Sequence, residues 1–252
     1  MQGSSILSTF YRYSPLLLLA LMWEAAVRTG VISELILPPF SETLTGWWAL
    51  ASDGALFTQA ASSLKRAVSG LALAIVFGTT AGILMAWNVK IRTFLNPLIQ
   101  MFYPMPKSAL IPVMILWFGL GDMSKVVLIF LGCLLPIVVS SFNGARGVED
   151  VLIWSARSLG ASRRQVLWQI IVPAAMPEIL TGIRTALAIS FVLLVSSEFV
   201  IARDGIGFMI SGFGDEGVYD RMFACIMTVV AMGFFADRLF QLFMRRVLIW
   251  RE

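Results

Sequence analysis

Long apolar stretches recur along this chain, separated by short polar intervals. Residues 67–89 (AVSGLALAIVFGTTAGILMAWNV) and 126–145 (VVLIFLGCLLPIVVSSFNGA) contain no Asp, Glu, Lys or Arg. Each reaches the roughly 20 residues that cross a bilayer as a helix. A lipid-facing barrel would alternate apolar and polar positions with period two, and these runs do not. The pattern predicts about six helices, over 14–31, 64–89, 94–118, 124–145, 175–202 and 221–244. The fold class is therefore all-α: one polytopic membrane domain filling residues 1–252. The first helix is short and carries Glu24 and Arg28, four apart and able to pair across one turn. Arg12 before the LLLLALM run also suits a signal peptide, but no small-x-small cleavage site follows, which favours a retained span.

Within this pattern some spans are interrupted. Pro97, Pro104, Pro106 and Pro112 punctuate the third helix, and Pro136 lies inside the fourth. Proline lacks a backbone donor and clashes with the preceding turn. In lipid, the freed carbonyls are tolerated only where protein or a wet cavity satisfies them. Two readings stand: packing kinks, or a break lining a pathway, for which Tyr103, Met105 and Pro106 are the candidates. Gly70, Gly78 and Gly82 of the second helix read as close-packing sites between helices.

Composition strengthens the membrane assignment. The chain is 58% hydrophobic and 13% charged, with a mean hydropathy of +0.85. Soluble domains average about 45–50% apolar and about 25% charged. With no His and two isolated Cys in apolar runs, zinc sites, His-based acid–base chemistry and a disulfide framework are poorly supported. The pI of 9.4 needs no nucleic-acid partner, since basic residues at membrane ends follow the topology rule. Arg12, Lys90, Arg92, Arg146, Arg157, Arg163 and Arg164 fall on one side with Arg245 and Arg246, and most acids fall on the other. Lys65, Arg66, Lys125, Arg203 and Arg221 lie near the acidic ends and blunt the contrast. This places both termini and the 146–174 loop in the cytoplasm.

Glu198, in VLLVSSEFV, is the notable acid within a span. A charge at mid-bilayer costs about 2.5–3.5 kcal/mol on insertion scales and turns to a partner or a cavity. One reading makes Glu198, with Ser197, a gate or pathway residue. The other places it at the external boundary, hydrated or paired with Arg203. Arg184 is read as serving the inner membrane interface. The segment 32–58 reads as lying at the membrane surface, and 204–220 as an external gate, a contact for a delivery protein or a solvated loop.

The 146–174 loop has a structure of its own. Glu149 and Asp150 suit the start of a short helix, and Gly160 can end it in the left-handed conformation. Ser162-Arg-Arg-Gln165 has the capping-box spacing. Val166, Leu167, Ile170 and Ile171 then recur at helical spacing, and Pro173 and Pro177 close the segment. Such a helix–bend–helix unit could rest on anionic lipid through Arg163 and Arg164. The small residues Ala156, Ala161 and Ser162 at the bend argue instead for insertion into a protein cleft.

Ala156-x-x-x-Gly160 followed by Ile170-x-x-Pro173 resembles the cytoplasmic signature loop of ABC importer permeases. Leu37-Pro38-Pro39, Ser63-Leu64-x-Arg66, Trp117-Phe118-Gly119-x-Gly121 and Gly205-Ile206-Gly207-Phe208 add to the likeness, which covers about residues 35 to 247 and is nearest the taurine, aliphatic sulfonate and nitrate subgroup. Trp154 and Ser155 stand where Glu-Ala usually opens the signature, and Val172 replaces the usual Leu. The resemblance implies a type I importer permease fold in a bacterial inner membrane, with a coupling helix between helices four and five. It also implies a second permease copy, as a homodimer, two cytoplasmic ATPase subunits and a periplasmic or lipid-anchored substrate-binding protein. Gly160, Ala161, Ser162, Arg163 and Arg164 would carry the ATPase contact, with Ala156, Leu159, Val166, Leu167 and Pro173 around them. The chain lacks a G-x-x-x-x-G-K-[ST] loop, so ATP and Mg belong on the ATPase and this chain is not an enzyme. The cargo expected from the subgroup is a small anion or zwitterion. The alternatives are an ion-gradient-driven secondary transporter and an intramembrane enzyme. The first would call for internal repeats and the second for clustered acids, His or Cys, and neither is evident.

Overall fold

The computed structural model describes residues 3–200 and 202–249, with residues 3–13 described by backbone alone. All regular structure among them is helical. Four helical stretches are long and apolar enough to cross a membrane: Ala55–Trp87 (α3), Asp122–Arg146 (α6), Arg163–Val200 and Tyr219–Val247 (α11). Val89–Phe102 (α4) meets a 3-10 turn and Ile111–Phe118 (α5) at 91°, a bent pair with the geometry of a broken span or a re-entrant loop, which makes the described crossings four or five. The expected continuous helix over 94–118 is thus broken. Pro104 and Pro106 fall in the break, where no backbone donor is available to continue the ladder. Pro136, by contrast, stays inside an unbroken α6. The expected first span falls on the helix α1, Gly3–Arg28, which is not among these stretches, so the described residues give four or five crossings where the pattern predicts about six; Glu24 and Arg28 pair on it at 3.1 Å. The chain then forms Phe40–Ser52 (α2) and enters α3 nine residues before the expected residue 64.

The Arg163–Val200 stretch corrects another expectation. Pro173 and Pro177 do not separate a loop helix from a span. Arg163–Val166 (α8), a π turn over Leu167–Ile171 and Val172–Val200 (α9) run on without a gap. Proline at 173 supplies no N–H for the carbonyl four residues back, and the wider π turn lies in that register. The helix does not stop there.

The core lies between α3, α6 and α9, with Ala74, Ile129, Cys133, Ile137, Ala186 and Leu194 all buried. Small residues make the close approach possible. A Cβ on Gly70 would lie 2.7 Å from Ile129, and one on Gly82 would lie 2.5 Å from the Val138 carbonyl oxygen. The stripe expected from spacing is therefore the contact line of α3 on α6. A second, smaller core packs Leu50 and Leu56 against Ile206, Ile210, Ala224 and Cys225. It joins α2 and α3 to Ile206–Asp215 (α10) and α11, and a hydrogen bond from Trp47 Nε1 to Thr228 Oγ1 at 3.1 Å closes it.

Candidate functional site

At one end of the bundle, α3 presents Gln59, Ser63 and Arg66 at i, i+4 and i+7, which places them on one helical face. Arg66 is almost wholly buried and holds three carboxylates. Its Nε donates to Asp122 Oδ1 at 2.7 Å, its Nη1 to Glu198 Oε1 at 2.8 Å and its Nη2 to Asp204 Oδ1 at 2.5 Å. Ser63 Oγ lies 2.8 and 2.9 Å from the two Glu198 oxygens and accepts the Ile206 N–H at 2.9 Å. The Gly207 N–H donates to Glu198 Oε2 at 3.0 Å, and the Gly205 N–H donates to Gln59 Oε1 at 2.5 Å. The cluster therefore pins the α9–α10 connection and the start of α10 onto α3. Gly205 is required here: its φ is +110°, and a Cβ would run into the Glu198 carboxylate.

Partial burial works against ionisation of Asp204, but its hydrogen bond and charge contact with Arg66 prevail and hold its carboxyl below the usual Asp range. On α6, the Lys125 ammonium donates to the Leu120 and Gly121 carbonyls at 2.9 and 3.2 Å. Lys125 lines a small cavity with Ile111, Met114, Ser124, Leu128 and Ser197.

Glu198 is therefore an ion-pair partner of Arg66, not of Arg203, and Ser197 beside it is buried with its hydroxyl on the Leu194 carbonyl. In the sequence Arg66 stands only as a family mark and as a charge at a helix end. Two signals could have exposed its role: an acid in the middle of an apolar span demands a cation, and Gln59-Ser63-Arg66 is a polar stripe at helical spacing.

Tyr103, Met105 and Pro106 lie apart from this cluster, at the α4–α5 break, with Tyr103 and Pro106 exposed. The break frees carbonyls, and Lys107 satisfies them: its Nζ donates to Phe102 O at 2.5 Å and to Met105 O at 2.6 Å. Lys107 had no assigned role in the sequence. A lysine just after a predicted break is the cue that was available.

The other candidate is the bent segment over Asp150–Ser158 (α7) and α8. α7 ends as expected at Gly160, whose φ is +86°. The capping box forms in both directions: Gln165 N–H donates to Ser162 Oγ at 3.3 Å and Ser162 N–H to Gln165 Oε1 at 2.8 Å. The expected apolar stripe faces inward. Val166 and Ile171 are buried, and Ala156, Ala161 and Leu167 pack against the same core. The outward face carries Arg163, Arg164 and Pro173 together with Val151, Trp154, Leu159 and Trp168, Leu159 being 88% exposed.

Comparison with known proteins places this architecture. Residues 74–249 match the family described as binding-protein-dependent transport system inner membrane component. The chain belongs to that family. It is 36% identical over 240 residues to the taurine transport system permease protein TauC of Escherichia coli (strain K12), with 93% of this chain and 87% of TauC covered. It is 35% identical to the provisionally named aliphatic sulfonates transport permease protein SsuC of Bacillus subtilis (strain 168), covering 92% of this chain and 84% of that protein. It is also 29% identical to the formylaminopyrimidine transport permease protein ThiX of Halalkalibacterium halodurans, covering 82% and 84%. The fold matches the MetNI methionine ABC transporter in inward-facing conformations, with a TM-score of 0.66 at 17% identity over 78% of this chain and 98% of that one. The protein is thus a multi-pass ABC importer permease, a transport component and not a catalyst.

Proposed function

We propose that this permease subunit forms, with a second copy, the translocation pathway for a small solute bearing a sulfonate or other anionic group. On this reading its 156–173 loop docks into a cytoplasmic ATPase. The observation that carries the proposal is the continuity from the exposed bend at Gly160 through α8 and the π turn into α9. A push on the bend is transmitted to a spanning helix with no hinge loop between them. ATP and Mg are bound by the ATPase, a binding protein outside the membrane delivers the solute, and both termini lie in the cytoplasm. The Arg66 cluster then sits at the external end, where it fixes α10 under the site of delivery. The sulfonate class is supported by the names of TauC and SsuC, while ThiX carries a different solute on the same scaffold.

Gly160→Val tests the reading. Nothing lies within 4 Å of a Cβ at Gly160, so the cost is confined to the positive φ, about 1–2 kcal/mol. Membrane insertion should be intact, whereas ATPase co-purification and ATP-dependent uptake of taurine in proteoliposomes should be lost. Full uptake by this variant would refute the docking assignment.

A further inference from the structure

The exposed surface of α9 differs from that of the other spans. Along α11 the outward residues include Val230, Phe234, Phe235, Leu239 and Phe243, and along α3 they include Val68, Val76 and Phe77. Both are faces suited to acyl chains. On α9 the exposed positions through the middle of the helix are Thr181, Arg184, Thr185 and Ala188, with the apolar Val192 following one turn on. Arg184 is residue 13 of 29 in α9, two residues from its midpoint, which is about 3 Å at 1.5 Å per residue. Asp237 lies four residues past the midpoint of the 29-residue α11, about 6 Å by the same rise. Half the hydrocarbon thickness is about 15 Å; with these helices centred in the bilayer, both charges fall at membrane depth and away from the inner interface expected for Arg184.

The two side chains pair bidentately, Nε to Oδ1 at 2.6 Å and Nη2 to Oδ2 at 3.1 Å, and Gln241 Nε2 donates to Asp237 Oδ2 at 2.5 Å. Nevertheless 47% of the Arg184 side chain and 36% of the Asp237 side chain remain accessible. The threonine hydroxyls are satisfied by carbonyls of their own helix and would tolerate lipid. A half-exposed guanidinium would not, and charged groups at this depth turn to protein or to a water-filled cavity. The exposed part of the guanidinium still holds donors aimed away from Asp237, suited to a planar or tetrahedral oxyanion.

We propose that this stripe of α9 lines the water-filled solute path and that Arg184 receives the anionic head group of the solute, with Asp237 positioning the guanidinium. The proposal rests on the permease reading and names the residue behind its anionic cargo.

The test is thiol labelling of the complex assembled with its ATPase in proteoliposomes. Cys133 and Cys225 are wholly buried, so the unsubstituted chain supplies the background. Thr185→Cys and Ala188→Cys should react with both the anionic 2-sulfonatoethyl and the cationic 2-trimethylammonioethyl methanethiosulfonate, and Phe235→Cys with neither. In A188C, adding Arg184→Gln should lower the anionic-to-cationic rate ratio by about tenfold, the size of one charge-assisted hydrogen bond. R184Q/D237N, which leaves no unpaired acid if the single variant misfolds, should also lower the ratio and should not restore taurine uptake. Three results would overturn the proposal: no reaction of positions 185 and 188 with charged reagents, a disulfide between two copies at 188, or uptake restored by the double variant. Labelling reads out whether or not uptake occurs. Absence of ATP-driven uptake in the unsubstituted complex would therefore count against the importer reading separately.

Discussion

Removing the Glu198 carboxylate would take away the acceptor of the Gly207 N–H and a partner of the Ser63 hydroxyl, while Arg66 would keep Asp122 and Asp204, its Nη1 still donating to the Asp204 carbonyl at 3.0 Å. Breaking a buried ion pair from one side costs about 3–5 kcal/mol when the surviving charge is left without a partner; the two carboxylates that Arg66 retains hold the cost here below that. Glu198→Ala should therefore lower the thermal unfolding midpoint of the detergent-solubilised chain. Glu198→Gln should lower it less, since its amide oxygen still accepts from Gly207 or Arg66. Equal effects would mean that the cavity and not the charge dominates. Asp204 makes a second prediction possible at this scale. Its folded carboxyl is held below its ordinary value of 3.8, so its contribution is fully present above that pH. The contribution is lost as pH falls through the depressed folded value. Asp204→Asn should flatten the acid limb of a stability–pH curve and leave the curve near neutrality lowered by a constant amount.

Elements followed the sequence closely where periodicity alone decided them, and departed from it where a local backbone event did. The ends of α6 and α11 fell within three residues of their expected limits, because apolar runs flanked by charges leave few alternatives. The break after α4 was marked by its prolines, but the bend and its closure by Lys107 depended on where the chain turned next. The α8–α9 junction went the other way: two prolines read as a stop lie in a helix that runs on, Pro173 just past the π turn and Pro177 inside α9. Ser162→Ala isolates the part of this junction that was legible. It removes one side of the capping box, a change of about 0.5–2 kcal/mol at a helix start. Because residues 162–165 are exposed, the loss should be local. Hydrogen exchange should quicken over residues 161–166 with no measurable change in α6, and the ATPase should bind more weakly than to the unsubstituted chain.

For the molecule as a whole, the membrane class and the bent segment were readable because each follows from short-range pattern. The Arg66 cluster was not, because its members come from residues 59 to 207 and meet only after α3, α6 and α9 have packed. The same packing decides which side of the signature segment faces outward. Val166 and Leu167, apolar and adjacent to the bend, are candidates for the partner contact, yet the fold takes Val166 into its own core and packs Leu167 against it. What it leaves outside is Leu159 on the bend and Trp168 in the π turn, 88% and 60% exposed. If this face meets the ATPase, these two side chains supply the apolar centre of the contact, with Arg163 and Arg164 at its edge. Leu159→Ser and Trp168→Ser together alter exposed positions and should change the stability of the isolated chain by no more than about 0.5 kcal/mol each. The apolar area they withdraw from the interface should lower ATPase recovery on co-purification by about tenfold, since truncating a central interface anchor often costs 2 kcal/mol or more. Unchanged recovery, with the same variants releasing the segment from anionic vesicles, would make this face a membrane-resting surface and move the coupling contact elsewhere on the chain.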